Sequence, residues 1–432
     1  MDHSTQAAVP SKINKKGFIS WALFDFSNSA YVTIIATFIF GPYFIHSVAK
    51  STIIGTRDWA WTIAAAGVIV AIVAPFLGAT VDQMKRRKPM LFLLCLLTVI
   101  SSALLFFTEP SKGWICWAII FVGLATIGFE LMQVLYNAML YSISPKDKIG
   151  RFSGWGWSCG YFGGIICLII ALLVFVKGGF IPKTNSLNVR STVLFVAGWL
   201  IVFYIPLFIW TPDQKRSSLS ISKSFTTGIK ALGTNYQYLK KMPSVFVYLI
   251  AHLAYTDGLN TLFTFFALFA IGTYHFSIEH VIILAIASNI MAGLGAVVLA
   301  WVDDWMGPKF NTCLALIGFI ILVLIIFFSH SGFYFWILAI CASFFVGPIQ
   351  ASSRSFMVHI VPEELNNQLF GFYALSGKIT AFIGPFFVGL FTVMFHSQRM
   401  ALILPIALLI AGLLVLFFVP SHQKIKTRIS AL

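Results

Sequence analysis

Residues Trp21 to Tyr31 read WALFDFSNSAY and open the first long apolar stretch of the chain. They set a carboxylate, Asp25, and the polar triplet Ser27-Asn28-Ser29 inside a segment otherwise suited to hydrocarbon. Charge in a membrane interior is costly and rare, and it marks a functional position unless it serves packing alone. The composition around this stretch shows which solvent it was built for. Of 432 residues, 59% are hydrophobic and 10% charged, against about 25% charged in soluble domains. The 44 phenylalanines suit helix surfaces that face lipid.

A helix needs roughly 20 apolar residues to cross a bilayer. Twelve runs qualify, at about 18–48, 58–81, 89–108, 113–143, 152–177, 190–211, 244–274, 279–301, 309–329, 332–360, 367–395 and 399–419. Strand-like alternation is absent, so backbone hydrogen bonding in lipid leaves a helical bundle. The net charge of +15 does not point to nucleic acid, because the basic residues sit between apolar runs, where they orient the spans. With both termini in the cytoplasm, the cytoplasmic segments hold 21 Lys and Arg and the opposite side 7. The polar start (residues 1–17) reads as an uncleaved cytoplasmic tail. An N-terminal bundle covers 18–211, a cytoplasmic linker 212–243, a C-terminal bundle 244–419 and a second tail 420–432. Within the linker, Phe225, Ile229, Leu232, Tyr236 and Leu239 recur at helical spacing among lysines. That pattern fits a basic amphipathic helix on the inner leaflet or a solvated linker.

The two bundles echo each other. Asp25-x-x-Asn28-Ser29 in the first span returns as Asp257-x-x-Asn260-Thr261 in the seventh. Asp82 with its basic run returns as Asp303-Asp304 and Lys309. Span four ends NAMLYSISP and span ten RSFMVHIVP, setting Asn137 opposite Arg354; Gly154 and Gly160 match Gly371 and Gly377. The matches keep one order throughout, as a duplicated six-helix unit requires. Parallel repeats of this kind build many secondary transporters, with the solute site near midplane between them.

The second span ends GATVDQMKRRK (Gly78 to Lys88). This resembles the loop signature of the major facilitator superfamily, roughly G-x-x-x-D-[RK]-x-G-[RK]-[RK]. Gly78, Asp82, Arg86 and Arg87 fit it, while Gln83 and Lys85 depart from it. Within that superfamily, WALFDFSNSAY, LFGFYALSGK (369–378) and YNAML (136–140) resemble the vacuole-effluxer branch, which includes autophagy-related amino acid effluxers. The resemblance implies an all-α membrane protein of twelve transmembrane helices in two pseudo-symmetric six-helix bundles. It further implies a small-molecule substrate, rocking halves, a gating role for Gly78, Asp82, Arg86 and Arg87, and spans seven and eleven as neighbours.

Charges within the spans supply the site candidates. Lys378 and Asp257 lie at matching depth, about 17 and 20 Å from the inner end at 1.5 Å per residue. A lysine left unpaired there would cost at least ~2.5–3.5 kcal/mol. They are candidate partners, either a pair broken during transport or a static pair that fixes packing. Glu130 is the cleanest candidate proton carrier, since intramembrane carboxyls serve in proton relays; the alternative is a protonated side chain bonded to a neighbouring helix. Asp25 with Asn28, one turn on, lines a cavity or ties helices together. Arg354 binds an anionic group, meets a carboxylate of the other half, or only adds to the inner positive charge. Asp82 and Arg86 form a latch, or an orientation signal that binds lipid phosphate.

No nucleotide-binding loop, G-x-S-x-G or H-E-x-x-H occurs, so an enzyme is disfavoured and no cofactor is expected. The six cysteines have no metal-ligand spacing, and no metal site is expected. The sequence thus predicts a secondary transporter for a small polar solute, an amino acid or similar metabolite, with protons as coupling ion. It predicts a monomer in contact with lipid, in a bacterial inner membrane or else a vacuole-type membrane. A transporter-like sensor or scaffold and a lipid translocase are the alternatives from other classes.

Overall fold

A computed structural model describes residues 15–84, 86–143, 149–213, 242–360 and 382–420, with residues 223, 226, 227, 373, 376 and 377 between them. The N-terminal bundle holds α1 (Lys15–Ala30, continued to Val48), α2 (Thr52–Met84), α3 (Lys88–Leu104), α4 (Ile115–Ile143), α5 (Ile149–Ile170, continued to Val176) and α6 (Leu187–Trp210). The C-terminal bundle holds α7 (Pro243–Tyr274), α8 (Ile278–Met306), α9 (Pro308–Phe328), α10 (Gly332–Ile360), α11 (Ile383–Met394) and α12 (Ile403–Phe418). Among the described residues, 11 helices are long and apolar enough to cross a membrane. The shorter α11 is the described part of the span expected over 367–395. The architecture is all-α and matches the twelve-helix arrangement read from the sequence. Most of the linker, including Phe225, Ile229, Leu232, Tyr236 and Leu239, lies outside the described residues, as do residues 1–14 and 421–432.

Side chains partition as lipid requires. Ile72, Leu93, Phe162, Val297 and Leu414 are exposed on the outside of the bundle, a surface that would bind other proteins in water but not in hydrocarbon. Trp210, Trp305 and Phe418, near the inner ends of their helices, are exposed as well, where aromatic rings settle at a membrane–water boundary. Inside, Trp21, Phe24, Trp59, Tyr136, Tyr248 and Tyr255 are fully buried.

The repeat is built into the contacts. α1 packs on α6 as α7 packs on α12, α2 on α4 as α8 on α10, and α3 on both α4 and α6 as α9 on α10 and α12. Specific bonds repeat too. Lys88, at the start of α3, donates to the carbonyl of Phe208 near the end of α6 at 2.7 Å. Its counterpart Lys309, at the start of α9, donates to Phe417 at 3.2 Å and Val419 at 2.5 Å, at the end of α12. A cation placed on open helix-end carbonyls satisfies groups that lipid cannot. Between the halves, α2 lies along α11 and α5 along α8, again a symmetric pair of contacts.

Among the described residues, two helices carry π segments. α1 continues as a π-helix over Tyr31–Phe38, breaks at Ile39 (φ −120°, ψ −64°), and passes through Pro42 into a second π segment, Phe44–Val48. α5 ends in a third, Ala171–Val176. Such wide turns are rare and concentrate where helices must adjust.

Candidate functional site

The first half of the site is set by glycines on α5. Gly156, Gly160 and Gly163 recur at three- to four-residue spacing and let α5 lie against the backbone of α1. A Cβ at Gly156 would sit 2.7 Å from the Trp21 ring and 3.1 Å from Oδ2 of Asp25, and one at Gly163 would meet the backbone of Phe26. Ser29 closes the seam by donating to the carbonyl of Gly160 at 2.6 Å. On the other side, Trp21 stacks on Tyr136 of α4 with centroids 4.7 Å apart. The Tyr136 hydroxyl donates to the carbonyl of Trp21 at 2.9 Å. Asp25 is half-buried, with Gly156 of α5 against its carboxylate.

The second half supplies the cation. Arg354 of α10 is the charge that acts on Asp25, and it also faces Tyr136, Tyr161 and Tyr373. Its guanidinium lies over the ring of Trp157 at 4.9 Å, a cation–π contact that joins the halves. One turn further along α5, Tyr161 donates to Oε1 of Gln350 on α10 at 3.0 Å. Behind Arg354 the C-terminal bundle is braced in the same style as the first. Tyr248 donates to the carbonyl of Ser353 at 2.6 Å, Tyr255 shares a hydrogen bond with the Ser353 hydroxyl at 2.7 Å, and His252 with Ser376 at 2.8 Å. The His252 ring lies 4.1 Å from that of Tyr373.

The remaining candidates are spread through the bundle. Asn28 accepts a 2.9 Å bond from Tyr204 of α6 and is buried within its own half. Glu130, half-buried on α4, acts on Tyr31, whose hydroxyl bonds Thr126 at 2.9 Å. Asn137 and Asn260 are exposed on α4 and α7. Asp257 is buried on α7; the Gly384 amide of α11 faces it, too loosely for a hydrogen bond. Lys378 lies outside the described residues, and so does any pairing with Asp257. Gly78 has open space around it. The Asp82 backbone lies in α2, but its side chain is outside the described residues. Arg86 is exposed. The amides of Arg87 and Lys88 donate to the two carboxylate oxygens of Asp213 at 3.1 and 3.0 Å, which ties this loop to the end of α6 in its own half.

Tyr136, Trp157, Tyr161, Tyr373 and Gln350 were not singled out by the sequence. Trp157 and Tyr161 carried a usable signal: large aromatics four apart on a helix stretch rich in glycine. Among the described residues no group of His, Cys, Asp and Glu could hold a metal.

Two repeated six-helix bundles that meet along α2–α11 and α5–α8 are the architecture of the major facilitator fold. Residues 60–149 and 144–428 match the family profile described as vacuole effluxer Atg22 like, and the chain belongs to that family. It is similar to an uncharacterized MFS-type transporter, YxiO, of Bacillus subtilis (strain 168): 27% identical over 413 residues, 94% of this chain and 95% of that one. It is 25% identical over 313 residues to autophagy-related protein 22 of Kluyveromyces lactis, covering 66% of this chain and 62% of that one. In fold it resembles the D-xylose-proton symporter (TM-score 0.69, 14% identity, 94% and 98% covered). It also resembles a bacterial homolog of the human lysosomal transporter Spinster in its inward-facing conformation (TM-score 0.67, 12% identity, 96% and 97% covered). The chain is a multi-pass membrane transporter and not an enzyme.

Proposed function

We propose that the chain is a secondary active transporter that carries a small polar solute, an amino acid or related metabolite, by alternating access coupled to protons. The observation that carries this reading is that the charge of Arg354 in one half acts on Asp25 in the other, while its guanidinium covers the Trp157 ring across the interface. Two opposite charges held apart by separate rigid bundles match the two ends of a zwitterion. Arg354 presents a planar fork to a carboxylate, and Asp25 with the aromatic faces receives an ammonium. A solute that satisfies both groups replaces the attraction that draws the bundles together. Its arrival and departure thereby bias which side of the site is closed.

The carboxyls supply the coupling. Proton uptake at Asp25 removes its hold on Arg354, and Glu130 and Asp257 stand as further carriers at greater depth. The Asp213 tether joins the Arg87 and Lys88 amides to the end of α6.

The test is uptake of a labelled amino acid mixture into proteoliposomes with and without an inward proton gradient. Wild-type protein accumulates label above the external level only with the gradient, and Asp25→Asn abolishes that accumulation. Equal accumulation in Asp25→Asn, Glu130→Gln and Asp257→Asn would contradict the proton assignment.

A further inference from the structure

Tyr248, His252 and Tyr255 follow one another on α7 at four- and three-residue spacing, which sets them on one side of the helix. All three are buried, His252 with 6% of its surface exposed. Their bonds go to two separate segments. Toward α10, Tyr248 donates to the carbonyl of Ser353 at 2.6 Å, and Tyr255 bonds the Ser353 hydroxyl at 2.7 Å. Toward the stretch ahead of α11, Nδ1 of His252 bonds the Ser376 hydroxyl at 2.8 Å, and the His252 ring lies 4.1 Å from that of Tyr373. Ser353 adjoins Arg354 in the chain, and Tyr373 acts on Arg354 more strongly than Asp25 does. One face of α7 thus grips the residue before the arginine and the tyrosine that faces it.

The protons fix the direction of these bonds. The Ser353 hydroxyl lies 2.5 Å from the carbonyl of Ile349, and the Ser376 hydroxyl 2.8 Å from the carbonyl of Tyr373. A carbonyl only accepts, and a hydroxyl has one proton to give. All the bonds are therefore made together only when Tyr255 donates to Ser353 and His252 donates from Nδ1 to Ser376. Ser376 then passes the constraint to the backbone of Tyr373. A buried network with every member satisfied holds its parts in one arrangement.

The N-terminal half has an anchor at the matching place. Tyr136 precedes Asn137 as Ser353 precedes Arg354, and Tyr136 is bonded to α1, the counterpart of α7, through the carbonyl of Trp21. Only the C-terminal half adds a histidine and a second gripped segment. Only there does the position carry a guanidinium laid over a ring of the other bundle.

We propose that His252 is a positioning residue for Arg354. Its bond to Ser376 fixes Tyr373, while the bonds of Tyr248 and Tyr255 to Ser353 fix the arginine's own backbone, so that α7 aims the guanidinium at Trp157. Its bearing on transport rests on the solute reading above, in which that guanidinium receives a carboxylate.

Fluorine NMR of the full-length protein labelled with fluorotryptophan, in lipid nanodiscs, reads the Arg354–Trp157 contact without any transport step. Trp157→Phe identifies the Trp157 resonance by removing it, and Arg354→Lys marks where it lies once the planar group has left the ring. His252→Phe keeps a ring and removes the donor, and it should carry the resonance at least halfway to that mark. Ser376→Ala should do the same. His252→Asn offers an amide N–H close to the place of Nδ1–H and should return the resonance to its wild-type position. The remaining tryptophan resonances should stay in place throughout. A wild-type position in both His252→Phe and Ser376→Ala would overturn the assignment. So would equal displacement in His252→Asn and His252→Phe, or movement of all the resonances together, which is general loss of packing. In the uptake assay, His252→Phe should raise the KM about tenfold with the maximal rate unchanged, as loss of uniform binding does. A displaced Trp157 resonance with an unchanged KM would uphold the positioning of Arg354 and overturn its place in the solute site.

Discussion

At the scale of single residues, the account turns on Arg354. Its guanidinium covers the Trp157 ring at 4.9 Å while its charge acts on Asp25, and a lysine would keep the charge but lose the planar fork and the stacking. Arg354→Lys should therefore raise the apparent KM for solute about tenfold, which corresponds to ~1.4 kcal/mol, and leave protein yield and melting temperature near wild type. Radiolabelled uptake kinetics check this, and an unchanged KM would separate Arg354 from the solute. Gly156 gives a second residue-scale prediction. An alanine there presses on the Trp21 ring and on Oδ2 of Asp25, so Gly156→Ala should weaken solute binding by on the order of tenfold in the same assay. Asp25 and Arg354 stood out in the sequence because charge in an apolar run has no cheap explanation. The aromatic ring around them did not, because Tyr136, Trp157 and Tyr161 are lost among 44 phenylalanines and the other aromatics that lipid-facing helices carry.

At the scale of elements, the seam between α1 and α5 is the part the sequence announced most clearly. The glycines of GWGWSCGYFGG (154–164) predicted close approach, and the backbone of Phe26 fills the space a Cβ at Gly163 would need. Gly163→Ala should cost roughly 1–3 kcal/mol by overpacking, visible as a lower melting temperature of the purified protein in lipid. A melting temperature equal to wild type would mean the seam can open without loss. The π segments of α1 had no counterpart in the spelling. Tyr31–Phe38 is as apolar as an ordinary span, and only Pro42 hinted at a break. Helix pitch at such a place is chosen by neighbours, here α6 and α7, which pack on the π stretch. The repeat was legible in outline from Asp25 and Asp257. Its strongest expression, the Lys88 and Lys309 bonds onto the ends of α6 and α12, needed coordinates.

At the scale of the whole molecule, the outer ends of the two bundles are closed upon one another. Gln398 of the C-terminal half bonds Thr56 of the N-terminal half at 2.7 Å, and Lys177 lies 3.4 Å from Glu279. Trp61 and Phe382 fit against Gly389 and Gly67 along α2 and α11. The exposed ion pair adds little by itself; the packed α2–α11 seam is what must part for the site to face outward. Alternating access, the central claim, is tested most directly by locking that seam. Thr56→Cys combined with Gln398→Cys places two thiols across it, and a short bifunctional thiol reagent can join them. The measurement is exchange of labelled amino acids across proteoliposomes before cross-linking, after it, and after release with a cleavable reagent, with each single-cysteine variant as control. The account predicts that exchange falls to background in the cross-linked double variant alone and returns on cleavage. Exchange that continues at the uncross-linked rate with the outer seam locked would contradict it.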